Sequence, residues 1–223
     1  MRKTLLTISI TSLIATSALF STQASAVDGL SANVAATNNY LWRGLEQTGG
    51  ASAISGGVDY SASSGFYIGT WASNASWGDM KTELDLYAGF GGNISDSVSY
   101  DIGFIYFGYP DSVSGDAAFS EVYANFSFDA LTLGVAVLAD ADGADAGDST
   151  YTSADYSFAV ATDAELALHI GSYSGDFSTD SVDVGVSISK NGFTFGLSKT
   201  DYDDDLDSDD VKFYVSYAVD IDL

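Results

Sequence analysis

From Leu30 onward, apolar and polar positions alternate every second residue in short runs, and each run breaks at a Gly-, Asn-, Asp- or Ser-rich joint. Leu131, Leu133, Val135 and Val137 form one apolar set, with Thr132, Gly134, Ala136 and Leu138 between them. Val182, Val184, Val186 and Ile188 oppose Asp183, Gly185, Ser187 and Ser189. Leu84, Leu86, Ala88 and Phe90 oppose Glu83, Asp85, Tyr87 and Gly89. Near the end, Val211, Phe213, Val215, Tyr217 and Val219 oppose Lys212, Tyr214, Ser216 and Ala218. Successive strand residues face opposite sides, so this pattern predicts strands with one apolar face. About twelve such segments follow one another. Tight joints fall at Ser63-Ser64, Asn93 to Ser97, Asp129-Ala130, Thr162-Asp163 and Asn191-Gly192. Longer ones fall at Leu45 to Gly50, Asn74 to Met80, Tyr109 to Ala117, Asp140 to Asp148, Gly175 to Asp180 and Thr200 to Asp209. Strict alternation of short and long joints predicts an all-β, antiparallel transmembrane β-barrel of about 12 strands. In such a barrel the short turns are periplasmic and the longer loops extracellular.

The first residues follow a different rule. Arg2 and Lys3 precede a largely apolar stretch from Leu5 to Phe20, and Ala24-Ser25-Ala26 fits a small-residue cleavage site. Residues 1–26 are therefore expected to be a cleaved secretory signal peptide, leaving residues 27–223 as the outer-membrane barrel. Acidic residues number 31 against 7 basic, a formal charge of −24, which excludes a phosphate-gripping surface and hence nucleic acid as a partner. With no cysteine, neither a disulfide nor a thiolate metal site is available. A hydrophobic content of 46% argues against disorder. A barrel reconciles that content with the charge, being apolar outside and polar within.

On the apolar face, Tyr60, Phe66, Phe90, Tyr100, Phe126, Phe128, Phe158, Phe193 and Tyr217 gather at one end of their strands, the placement of a membrane-interface girdle. The other face is the expected lumen. It carries small residues with Asp59, Glu83, Asp85, Asp101, Glu121, Asp155, Glu165 and Asp183, balanced at strand positions by Arg43 and Lys212. Charges at so many inward positions require water or partners, because an unpaired buried charge costs several kcal/mol. These residues are the expected pore lining. Inward aromatics, Tyr67, Trp71, Tyr87, Phe107, Tyr123, Tyr151 and Tyr214, either constrict the lumen or stack against solutes.

Tyr40-Leu41-Trp42-Arg43-Gly44 with Glu46-Gln47-Thr48 resembles the first strand and loop of the TorF-family porins. Gly65 to Gly69, Trp71 to Asn74, Glu83 to Gly89, Tyr100 to Gly103 and Glu121 to Tyr123 continue the likeness in the same order. The resemblance is specific over residues 30–128 and architectural beyond. It implies an outer-membrane barrel acting as a pore, with no solute attached. The chain departs from such barrels at its end, which is Ile221-Asp222-Leu223 rather than an aromatic residue, although Leu223 keeps the outward parity.

Two further constellations bear on chemistry. The run Asp201, Asp203, Asp204, Asp205, Asp207, Asp209, Asp210 has alternate acids, but Ser208 stands where a calcium loop needs glycine and Tyr214 where it needs glutamate. It is expected to be a solvated loop, with Asp140, Asp142, Asp145 and Asp148 alike; divalent cations, alone or bridging lipopolysaccharide phosphates, are candidate partners at both. His169 is the only histidine and falls on the lumen face without a Gly-x-Ser-x-Gly element, so no catalytic residue, metal site or cofactor is expected. The expected function is passive, cation-preferring diffusion of small solutes or ions through a pore set in outer-membrane lipid. Two alternatives stay open, a plugged barrel that works through its acidic surface loops and a secreted β-sandwich that binds carbohydrate. Sequence leaves the oligomeric state open.

Overall fold

The computed structural model describes residues 27–113, 117–177, 179–203 and 210–223. The expected signal peptide and residues 204–209 of the acidic run lie outside them. The strands, in order, are β1 (Leu30–Thr37), β2 (Leu41–Trp42), β3 (Leu45–Glu46), β4 (Ala53–Ser61), β5 (Phe66–Trp77), β6 (Met80–Asn93) and β7 (Val98–Gly108). There follow β8 (Phe119–Phe128), β9 (Leu131–Ala141), β10 (Ser149–Ala161), β11 (Ala164–Gly175), β12 (Ser181–Lys190), β13 (Phe193–Tyr202) and β14 (Lys212–Asp222). Twelve of these, β1 and β4 to β14, form one closed antiparallel barrel in sequence order, with β1 paired to both β4 and β14. Closure leaves no sheet edge, which a sandwich would have. β2 and β3 form a separate two-stranded hairpin.

Alternation places the two faces as expected. Val58, Ile68, Leu86, Phe104, Val122, Leu168 and Val184 point outward and are each 43–50% exposed. A belt of large apolar side chains left open this way needs an apolar medium around it. At one end the belt becomes aromatic through cross-strand neighbours. Phe66 and Phe90 lie 5.4 Å apart between ring centres, and Phe193 and Tyr217 4.6 Å.

The tight turns close that same end. Asn191 and Gly192 both have positive φ, 51° and 81°, the geometry that lets a two-residue turn follow strand twist. The first and last described residues meet there, since Val27 N donates to Leu223 O at 2.5 Å and Leu223 N to Leu30 O at 3.1 Å. The final leucine thus continues the closing ladder although it is not aromatic.

One expected joint differs. Asn74 to Met80 is not a long loop: β5 runs to Trp77, β6 starts at Met80, and Gly78-Asp79 alone turns the chain. Polar residues there mark where the strands rise past the apolar belt, while the ladder continues beyond it through a register shift between Asn74 and Trp77.

Candidate pore lumen

The main departure from expectation concerns residues 38–52, which join β1 to β4. Instead of standing above the barrel they fold into it as the β2–β3 hairpin. Arg43 (φ 50°) and Gly44 (φ 75°) form its turn, both in the left-handed region such a turn requires. Arg43 therefore sits at the tip of an inward hairpin and not on a wall strand. Its guanidinium grips Glu121 on β8 with Nη1–Oε1 at 2.7 Å and Nη2–Oε2 at 2.5 Å. The same cation lies 4.2 Å from the Trp42 ring centre and 4.3 Å from that of Tyr151 on β10. Trp42 meets Phe107, Phe119 and Tyr173 edge-on at 5.6, 5.9 and 6.4 Å. Gly44 lies so close to the wall that a Cβ there would stand 2.1 Å from Thr200 Oγ1 and 2.9 Å from Asp183 Cβ. The tip is thus held against β8 and β10 to β13, across the lumen from its own root.

Further hydrogen bonds secure the stem. Asn39 Nδ2 donates to Glu46 Oε1 at 2.6 Å, Gln47 N to Tyr40 O at 2.8 Å, and Ser76 N to Gln47 O at 2.7 Å. Tyr40 OH donates to Glu83 Oε1 at 3.2 Å, and its ring meets Trp71 at 5.5 Å. Burial, reinforced by the nearby Glu83 and Asp85 carboxylates, pushes the Tyr40 phenol well above its usual pKa, so it remains a donor.

All the expected carboxylates point inward, but they divide into two groups. Glu83, Asp85, Glu121 and Asp183 are buried at the level of the hairpin. Asp59, Asp101 and Asp155 are half-buried, and Glu165 is exposed near the tight turns. Lys212 is half-buried where β14 begins. The aromatics and the acids, distinct sets in the sequence, meet in space. Tyr67 OH donates to Asp101 Oδ1 at 2.5 Å and also meets Tyr123 OH; Tyr87 OH donates to Asp59 Oδ1 at 2.5 Å. Asp59 also accepts from Asn33 at 3.2 Å. These rings lie flat along the wall because the cross-strand neighbour is glycine. A Cβ on Gly89, paired with Tyr67, would stand 2.3 Å from its hydroxyl. Phe107 stacks on Phe119 at 4.5 Å beneath Trp42, and Tyr214 is buried on β14.

His169 bridges two walls of carboxylate. Its Nδ1 lies 2.6 Å from Asp155 Oδ1 and its Nε2 2.6 Å from Asp183 Oδ2, with Tyr151 OH 3.0 Å from Nε2. Both nitrogens are engaged by acids, an arrangement that orients a side chain and braces β10, β11 and β12 together. Among the described residues no group of three acids, histidines or cysteines is placed to hold a metal ion.

Residues 21–220 match the profile of a family described as "Bacterial protein of unknown function (Gcw_chp)". The chain belongs to that family. No curated protein matches it. Among solved structures it is similar to the KdgM porin, with a TM-score of 0.56 at 8% identity, covering 86% of this chain and 99% of that one. The KdgM porin in complex with disordered oligogalacturonate gives a TM-score of 0.53, again at 8% identity, over 87% and 98%. OprD of Pseudomonas aeruginosa matches at a TM-score of 0.43 and 12% identity over 87% of this chain and 68% of that one, too loosely to bear on this lumen. The likeness is one of fold: a porin-like barrel, an architecture consistent with the outer membrane.

Some residues of this Gcw_chp barrel were missed by sequence reasoning. Asp220 lies inward and half-buried beside Asn33 in the ladder, and Tyr173 and Phe119 pack under the hairpin. Parity alone extends the inward series Lys212, Tyr214, Ser216, Ala218 to Asp220, and the series His169, Gly171 to Tyr173. The hairpin left no such signal, because each of its strands is two residues long.

Proposed function

We propose that this protein is a narrow outer-membrane pore for passive diffusion of small solutes, with a preference for cations. The observation that carries this reading is the reversal of polarity around one closed barrel, apolar toward the surroundings and polar and acidic within. A soluble protein has the opposite distribution. On this reading residues 1–26 are the signal that exports the chain, outer-membrane lipid surrounds the belt, and the work is transport rather than catalysis. The segments from Tyr40 to Tyr123 that resemble TorF-family porins support placing it among them.

Charge preference follows from the half of the lumen nearest the tight turns. Asp59, Asp101, Asp155, Glu165 and Asp220 are all solvent-accessible there. Carboxylates around a confined water column concentrate cations and repel anions. KdgM was solved with oligogalacturonate, a chain of anionic sugars, and that ligand has the wrong sign for this vestibule. The native pore should give a reversal potential of cation-selective sign across a KCl gradient. Asp59→Asn/Asp101→Asn/Asp220→Asn should move it toward zero. Rising salt should weaken the preference too, as the Debye length shortens from about 10 Å at 0.1 M to about 3 Å at 1 M. An anion-selective native pore would overturn this assignment.

A second reading draws on the hairpin, which crosses the lumen from β1 to β8. A barrel blocked there would work through its surface loops, with divalent cations bound at their acids. Silence in the same recording, ended by replacing residues 39–50 with a short Gly/Ser link, would favour it.

A further inference from the structure

The hairpin does not divide the lumen evenly. Its tip is sealed to the far wall, where Glu121, Tyr151, Tyr173, Asp183 and Thr200 are all buried and Thr200 is 0% exposed. On the near side, between the stem at residues 39–41 and the wall of β14, β1, β4 and β5, a cavity of about 50 Å³ remains. The wall there is built of small side chains, among them Ala35, Ser55 and Ser73, while Tyr40, Trp71 and Tyr214 frame the opening. Ala35 and Ser55 are half-exposed, and directly below them on β1 and β4 lie the equally accessible Asn33, Gly57 and Asp59. The cavity therefore leads toward the acidic vestibule.

We infer that the narrowest passage through this barrel lies off-centre, between the hairpin stem and the β14–β1–β4–β5 wall, and that it takes small uncharged hydroxylated solutes. This rests on the pore reading and assigns its filter. Among the described residues no charged side chain lines the cavity; hydroxyls, one amide and aromatic rings do. Thr37, Ser55, Ser73 and Ser216 bring hydroxyls to the cavity, each able to donate to and accept from a solute's hydroxyls, while Asn39 Oδ1 and Trp71 Nε1 lie buried behind its lining without a hydrogen-bond partner. A polyol exchanges bonds to water for bonds to such groups at small net cost. An ion stripped of water here touches no charged side chain and crosses at a penalty. Selection is thus split: vestibule carboxylates gather cations, whereas the seam sets width and favours neutral molecules.

Because the chain has no cysteine, single cysteines report accessibility cleanly. In proteoliposomes, Ser55→Cys should react with a small neutral methanethiosulfonate, and a bulky benzyl adduct there should abolish erythritol-driven swelling. Thr200→Cys, beneath the hairpin tip, should stay unreactive. Native protein should pass erythritol faster than lysine, which is cationic. Swelling that survives the adduct in Ser55→Cys, or that the same reagent blocks in Thr200→Cys, overturns the off-centre path and leaves the pore reading standing. Faster lysine entry overturns the solute class alone. Should native protein admit nothing, the seam is rejected; the variant with residues 39–50 replaced then decides the rest, since permeability restored means a plugged barrel and none means no pore.

Discussion

At the scale of single residues, the lumen wall is organised by glycine facing tyrosine. Gly196 pairs with Tyr214 across β13 and β14, and a Cβ on that glycine would stand 2.1 Å from Tyr214 Cζ. The ring cannot stay on the wall once a side chain occupies the space, and it borders the seam. Gly196→Val should therefore cost about 1–3 kcal/mol by overpacking, read as a lower urea midpoint in a folding gel-shift. Gly196→Val/Tyr214→Ser, which removes the ring that the valine displaces, should recover most of the loss. A single variant as stable as the native protein would show that the ring moves at no cost. Both residues are legible in the sequence as inward-facing, yet their contact depends on register, which pattern alone does not fix. The carboxylates were legible in the same incomplete way. Parity turned Asp59 and Asp101 inward, while the phenols of Tyr87 and Tyr67 that bind them come from other strands.

Elements differ in how openly the sequence declares them. The wall strands were legible because each must present one face to lipid along its whole length, and a slip of one residue would reverse both faces. Val184 and Ser157 make this testable. Val184 lies outward on β12, and an arginine there near the midplane costs about 2–4 kcal/mol in barrels of this kind. Ser157 lies inward on β10 in the half-exposed vestibule. Val184→Arg should reduce the folded fraction in lipid far more than Ser157→Arg, and equal tolerance would refute the assigned faces. The β2–β3 hairpin obeys no such local constraint. Its position is set by Arg43 reaching Glu121, 78 residues along the chain, in a pair whose side chains are 10% and 3% exposed. Nothing in the neighbourhood of Arg43 encodes that partner. The short joint at Gly78-Asp79 was hidden for a related reason: polarity reports where a strand leaves lipid, not where it stops.

Over the whole molecule, the two ends of the barrel are unlike, and the proposed orientation rests on that difference. The first and last described residues meet at the end of tight turns and aromatic rings, while longer, acidic connections gather at the other. A chain threaded into a membrane from the periplasm must carry every connection at its far end across the bilayer, and in outer-membrane barrels the long ones face outward. On the proposed orientation the acidic load at that end, with Asp111, Asp142, Asp145 and Asp148 among the loops between strands, faces the cell exterior. A tag inserted at Gly143 is the sensitive probe. That residue sits between β9 and β10 with no neighbouring atom within 4 Å of a Cβ built on it, so an insertion displaces nothing. It should be labelled by antibody on intact cells. A tag between Asn191 and Gly192, in the tight turn joining β12 to β13, should be labelled only after the outer membrane is permeabilised. Labelling of the second tag but not the first would reverse the orientation and turn the acidic vestibule toward the cell exterior.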